Sequence, residues 1–314
     1  MCLAILIIFL KKSNKSNKNF LNIGILQFVE HDALDSVKKG FIDGLTEFGF
    51  IDNQNIKIDF KNAQADQSVC NLISNQFVSD KKDLILAIAT PAAQSISEAT
   101  KEIPILVAAV TNPEDSGLVE SNKKPNTNVT GVSDLSPIAE QIELIIKLKP
   151  ETKTIGILFS SSEANSKYQA NIAYEKCQKL NLEPKVFNFS NANEIEQVVL
   201  SMKNKVDAIY TPTDNMVASN VDIIAKIALQ IEVPWVCGET NLVPKGSVGT
   251  YGIDYYEIGK LTAKQAAKIL NGENKPQEMP IEYLEETKLL LNDKIISKLG
   301  IEIPQEFLNI MKLV

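Results

Sequence analysis

A chain of 314 residues with 44% hydrophobic side chains is long enough to bury one large core or two moderate ones. Its formal net charge of −7 is the wrong sign for nucleic acid, whose phosphates select basic surfaces. The four cysteines, Cys2, Cys70, Cys177 and Cys237, are far apart in sequence, with no C-x-x-C and no histidine nearby. That spacing argues against a zinc site and for free thiols buried as small apolar groups.

In chain order, "MCLAILIIFL" comes first, an apolar run too short for a mature membrane span but long enough for the apolar stretch of an export signal. The polar, basic "KKSNKSNKN" after it cannot pack and reads as a tether. A positive segment ahead of the run, a small-residue cleavage site and a cysteine at its end are missing, so residues 1–21 are expected to be a truncated export signal and tether. From Asn22 onward strands and helices alternate. "NIGILQF" has strand length, and the next segment places Leu34, Val37, Phe41, Leu45 and Phe48 on one helical face. "NIKIDF" alternates as a strand, a helix is expected over about 66–79, and "DLILAIA" reads as a buried strand. A helix from Ala92 to Thr100 then leads to "IPILVAAV". Such alternation implies parallel strands joined by right-handed helical crossovers.

The order then repeats. "IGIL" at 23–26 returns at 155–158, "DLILAIATPAA" is answered by "DAIYTPTDNMVA", and "IPILVAAVTNPE" by "VPWVCGETNLVP", at offsets of 132, 124 and 130 residues. Three matches in one order predict two similar α/β lobes with parallel sheets. In open parallel sheets, ligands bind beyond the carboxyl ends of the strands. Six polar segments fall at those positions: "QFVEHD", "ATPAA", "VTNPED", "SSSEANS", "TPTDN" and "GETN". If the lobes face one another, these loops line a cleft.

The loops lack the phosphate-binding glycine motifs, a Walker sequence and G-x-S-x-G. They offer hydroxyls, amides and acids instead. Short hydroxyls with free helix N–H groups suit a carboxylate, and Asp214 suits an ammonium or, with equal weight on position alone, acts as a helix cap. A small zwitterion such as an α-amino acid would use both kinds of partner. His31 is the only histidine, and with Asp32 and Asp35 it fits a solvated helix start better than a catalytic centre. No serine or cysteine has an identifiable base, so no catalytic residue, metal ligand or cofactor site is expected.

The segments "ILQFVEHDALDSVKKGFIDGL", "LILAIATPAAQ", "NVTGVSD", "IGILFSSSEANS", "YTPTDNMVAS" and "TYGIDYYEIGKLTAKQAAKIL" resemble, in order, the substrate-binding proteins of bacterial ABC importers for aromatic amino acids. The resemblance runs from residue 22 to about 310. It implies a type I periplasmic-binding-protein fold: two Rossmann-like lobes, a three-strand hinge, and a ligand enclosed on closure. The crossings would fall near 131–136, 252–255 and 282–287. One lobe would comprise 22–132 plus 254–282, the other 133–253 plus 283–314. Carried onto this chain, the family's pocket falls on Thr90, Thr111, Ser161, Ser162, Glu163, Ala164, Asn165, Asp214, Asn215 and Asp254. Thr90 and the serines are assigned to the ligand's carboxylate and Asp214 to its ammonium. Phe28, Phe159, Tyr251 and Trp235 are the aromatics nearest the strand ends, each weighed against ordinary core packing, with Phe28 kept in the ligand set. The implied protein is an exported, membrane-anchored monomer that delivers tryptophan, tyrosine or phenylalanine to an ABC permease. Its lipid-anchoring cysteine is not found in the expected place. A sensor module on the same fold, and an enzyme using Glu163 and Asp214 for proton transfer, are the competing readings.

Overall fold

The computed structural model describes residues 20–314. The apolar run, the basic tether and Cys2 lie outside the described residues.

The first half runs β1 (Leu21–Gln27), α1 (Asp32–Glu47), β2 (Ile56–Asn62), α2 (Gln67–Ser79), β3 (Leu84–Ile88), α3 (Thr90–Ala99), β4 (Ile105–Ala108) and β5 (Val129–Ser133). Local chemistry sets the ends. Asp66 caps α2 by accepting from the Ser68 and Val69 N–H groups at 2.7 and 3.2 Å. Helix α3 starts two residues before Ala92, with Pro91 in its first turn, where a missing N–H costs nothing. The buried face of α1 carries Leu34, Val37, Phe41 and Leu45, but Phe48 does not join it. It lies one residue past the helix and is 47% exposed, because the chain has already turned away.

The second half repeats the plan with α4 (Ile138–Leu148), β6 (Thr154–Ser160), α5 (Ala164–Lys179), β7 (Glu183–Phe189), α6 (Ile195–Leu200), β8 (Ala208–Thr211), α7 (Asn215–Ser219), α8 (Val221–Gln230), β9 (Trp235–Cys237) and β10 (Gly249–Gly252). The chain ends with α9 (Tyr255–Leu270), β11 (Glu282–Tyr283), β12 (Lys288–Leu291), α10 (Asp293–Lys298) and β13 (Met311–Leu313).

Two sheets result. One has the order β11-β5-β4-β3-β1-β2 and is parallel throughout. The other has the order β13-β12-β10-β9-β8-β6-β7 and departs from parallel at the β10–β12 pair. Setting aside the late strands, each half has its second strand outermost, then its first, third, fourth and fifth. The fold is thus the two-lobed α/β arrangement expected from the repeat, with one antiparallel pair added where the chain returns as β12. All five residues of β3 are buried, since helices cover both faces of its sheet.

Helix α9 follows β10 of the second sheet yet packs on α1, β4 and β5 of the first lobe. With the step from β5 to α4 and the step from β11 to β12, the chain passes between lobes three times: across 133–138, 252–255 and 283–288. One apolar core fills the first lobe, and two lie on opposite faces of the second sheet. Cys70, Cys177 and Cys237 are buried free thiols within these cores. Among the described residues no helix is long and apolar enough to cross a membrane.

Candidate functional site

In each sheet the strand order reverses beside the first strand of the half, between β1 and β3 and again between β6 and β8. That reversal opens a crevice at the carboxyl ends. The two crevices face each other. Three side-chain contacts join the lobes there: His31 Nε2 donates to Asn215 Oδ1 at 3.2 Å, Gln169 Nε2 donates to Thr111 Oγ1 at 3.2 Å, and Lys245 pairs with Asp32 at 2.6 Å.

Between the lobes lies a cavity of about 10 Å³, room for roughly one water molecule. His31, Leu34 and Ala109 line it from the first lobe, Asn165, Thr213, Asp214, Asn215 and Glu239 from the second, with Asp134 and Tyr255 from the crossings. Wider hollows lie elsewhere. One of about 490 Å³ sits on the second lobe around Leu299–Gln305, away from every strand tip of the crevice. Another of about 410 Å³ flanks the crossing at 253–256 and holds Lys245, Lys288 and Lys312.

Four acids are buried at or beside the small cavity: Asp134, Glu163, Asp214 and Glu239. Asp214 caps α7 through Val217 N–H at 2.9 Å, and its other oxygen accepts from Ser160 N–H at 2.6 Å. Glu163 accepts from Asn215 Nδ2 at 2.5 Å and from Met216 N–H at 3.0 Å. Asp134 accepts from the Thr111 and Tyr255 hydroxyls at 3.1 and 3.2 Å. Glu239 has a buried Oε2 with no partner. Burial pushes the Asp134 carboxyl up to about 6. Burial also raises Glu163, with the charge of Asp214 adding to it, and raises Asp214 despite its N–H bonds. It raises Glu239 well above the ordinary carboxyl range, helped by the charges of Asp134, Asp214 and Glu163 and opposed by the Asp214 N–H. Burial lowers His31, so the imidazole is neutral and gives its Nε2–H to Asn215. The cavity is therefore rich in acid and has no lysine in its lining.

Of the residues singled out from the sequence, Asn165, Asp214 and Asn215 line this cavity. Glu163 sits behind them, bonded to Asn215. Thr111 is buried between Asp134 and Gln169. Thr90 opens α3 with a buried Oγ1 that has no partner. Ala89 before it holds a φ of 80°, a strained setting at the strand tip. Ser161, Ser162 and Ala164 are not brought in; they are exposed. Ser161 bonds the Phe189 carbonyl and Ser162 the Ser160 hydroxyl. Asp254 caps α9 and faces the wider hollow beside Lys288. Phe28 and Phe159 are buried in the cores, and Trp235 is buried with its indole N–H on Thr211 Oγ1 at 2.9 Å. The rings lining the cavity are the Tyr255 phenol and the His31 imidazole.

Sequence reasoning passed over Asp134, Gln169, Glu239 and Tyr255, and it placed His31 at a solvated helix start rather than across the cleft. Signals for three of them existed. Glu239 lies in a polar tip segment, Asp134 follows the fifth strand of its lobe, and Gln169 is one helical turn beyond Asn165.

Two α/β lobes, three crossings and a polar cavity shut between strand tips define a type I periplasmic binding protein. Structures at 14–17% identity share that fold, including a 5-methylthioribose transporter solute binding protein from Thermotoga lettingae at TM-score 0.61 and a glucose-galactose binding protein from Geobacillus stearothermophilus at 0.63. The profile of the ABC transporter substrate binding protein family matches residues 22–313, and the chain belongs to that family. It is 40% identical over 297 residues to a tyrosine-binding protein of Clostridioides difficile, covering 92% of this chain and 86% of that protein. It is 41% identical to an ABC domain from Streptococcus pneumoniae solved in complex with L-Trp, at TM-score 0.91, covering 94% of this chain and 99% of that one. The ligand-free, open structure of a substrate binding protein from Clostridium difficile is also 41% identical but superposes at 0.73, over 93% of this chain and 98% of that one. The chain thus superposes better on the L-Trp complex than on the open form.

Proposed function

We propose that this chain is the extracytoplasmic capture component of an ABC importer, that its ligand is a small amino acid with an aromatic side chain, and that it hands that ligand to a permease unaltered. The observation that carries the reading is the meeting of two sheets, tip to tip, on a buried acid-rich cavity that includes polar atoms with no partner. Unpaired buried polar groups cost free energy, and a ligand with both donors and acceptors would recover it. The similarity to tyrosine-binding and L-Trp-bound relatives supports an aromatic side chain.

An aromatic amino acid does not fit in about 10 Å³, so it enters with the lobes parted, and closure over it leaves a wider gap between the tips than the one seen here. Thr90 and the free N–H groups at the start of α3 suit its carboxylate. Binding as a monomer and tethering at the cell surface complete the reading. A micromolar dissociation constant corresponds to about −8 kcal/mol, within reach of a paired ammonium, several carboxylate hydrogen bonds and a buried ring after the costs of association. The test is calorimetric titration of the purified chain with each of the twenty amino acids, followed by mass spectrometry of the recovered ligand. One-to-one binding of tryptophan, tyrosine or phenylalanine, recovered intact, is expected. Binding of none of the three, or recovery of a changed product, would contradict it.

A further inference from the structure

We propose that Glu239 is the residue that receives the ligand's ammonium group and sets the site's preference for α-amino acids over their desamino analogues. The assignment rests on the capture reading above.

The other three buried acids are already engaged. Both oxygens of Asp214 hold backbone N–H groups, those of Ser160 and Val217. Glu163 holds Met216 N–H and the Asn215 amide. Asp134 takes one hydroxyl on each oxygen. Glu239 alone keeps a buried carboxylate oxygen free, although the residue is only 3% exposed and lines the interlobe cavity. A buried acid with no partner is held towards its neutral form, and a cation arriving with the ligand supplies the partner that favours its ionised form.

A second atom points the same way. Asn165 Oδ1 is also buried, unpartnered and on the cavity wall. Its Nδ2 is committed to the Thr213 carbonyl at 3.2 Å, which fixes the carbonyl oxygen as the free end. Both vacant groups are acceptors, and an ammonium has only donors.

Nothing already in the site neutralises Glu239. His31 gives its N–H to Asn215. Lys245, at the rim, is paired with Asp32 at 2.6 Å. Among the described residues no group of three or more acids, histidines or cysteines could hold a metal ion. The loop is also pinned in place. A Cβ on Gly238 would stand 2.5 Å from the Thr213 nitrogen, so the backbone before Glu239 lies directly against the 212–214 segment. A longer side chain at 238 would push the acid away from the cavity.

The experiment titrates the unaltered protein, Glu239→Gln, Asp214→Asn and Asn165→Ala with L-tyrosine and L-tryptophan, and with 3-(4-hydroxyphenyl)propionate and indole-3-propionate, which lack the amino group. Thermal unfolding is recorded for each variant. Glu239→Gln is expected to bind the amino acids at least about 30-fold more weakly, the scale for removing one partner of a buried charge pair. Its affinity for the desamino acids should hardly change, so the discrimination between the two kinds of ligand collapses. Asn165→Ala should show a smaller loss of the same kind, which keeps the assignment testable if the glutamine variant misfolds. Asp214→Asn should keep the discrimination. Unchanged discrimination in Glu239→Gln, or its loss in Asp214→Asn instead, overturns the assignment alone. Failure of the unaltered protein to bind either amino acid overturns the capture reading and this assignment with it.

Discussion

Asp214 and Glu239 are two buried acids at the tips of neighbouring strands, and position in the sequence does not tell them apart. Asp214 begins a helix, which made it conspicuous, and the same geometry gives its oxygens to backbone N–H groups. Glu239 sits in a short loop with no such donors on its outer oxygen, a difference created by folding rather than by residue type. The acid cluster also has a signature in the unliganded protein. Asp134, Glu163, Asp214 and Glu239 are all held above their ordinary range by burial, so the folded chain keeps their protons more tightly than the unfolded chain does. The stability such a group contributes is complete below its unfolded value and is lost as pH rises through its folded value. For Asp134 that window runs from 3.8 to about 6. His31 acts in the opposite direction, since its lowered value lets the unfolded chain take a proton first as pH falls past 6.5. Asp43, Asp59, Glu194 and Asp207 are held low and lose their contributions only below the ordinary carboxyl values. Where the lobes are shut as here, four raised acids against one histidine predict a higher unfolding temperature near pH 5 than near pH 7, a difference reduced in Asp134→Asn. Scanning calorimetry showing the reverse slope would mean that these carboxyls are not buried as described.

Helix α9 does for the first lobe what sequence order alone would not suggest, since it follows a strand of the second. It is held against α1 by glycines: a Cβ on Gly259 would meet the Val37 carbonyl oxygen at 2.1 Å, and one on Gly40 the Tyr256 carbonyl oxygen at 2.1 Å. Backbone cannot yield as a side-chain end can, so the helices must separate to admit even a methyl group. Gly259→Ala is therefore expected to lower stability by about 1–3 kcal/mol in urea unfolding, the range for overpacking a filled interface. Lys264→Ala on the same helix, whose side chain is exposed, should change little. A Gly259→Ala variant as stable as the unaltered chain would show that the helices are not in backbone contact. Much at this scale was readable beforehand. The periodicity of "ALDSVKKGFIDGL" marked the buried face of α1, and the repeat of "IGIL" placed β1 and β6 in equivalent positions within their sheets. Less readable were the end of α1, where Phe48 continues the apolar pattern after the helix has stopped, and the antiparallel return of β12, which depends on a crossing between lobes. The serines of "SSSEANS" were misleading for a similar reason: hydroxyl content shows that a loop is polar, while the direction its side chains face depends on the turn.

For the whole molecule, the spacing between lobes is the variable that matters. Among the described residues, contacts at His31, Asp32 and Thr111 hold the tips together, and the chain passes between the lobes through three short crossings. Such joints bend more easily than packed cores, so ligand contacts made to both lobes at once can favour the shut form. Of two relatives at equal identity, the chain superposes at 0.91 on the L-Trp complex and at 0.73 on the open structure. Small-angle X-ray scattering during titration with L-tyrosine and L-tryptophan measures that spacing directly. The radius of gyration is predicted to fall to a plateau at one equivalent of whichever amino acid binds, and to stay constant with its desamino analogue. Saturation by the amino acid with no contraction would contradict capture by closure between the lobes.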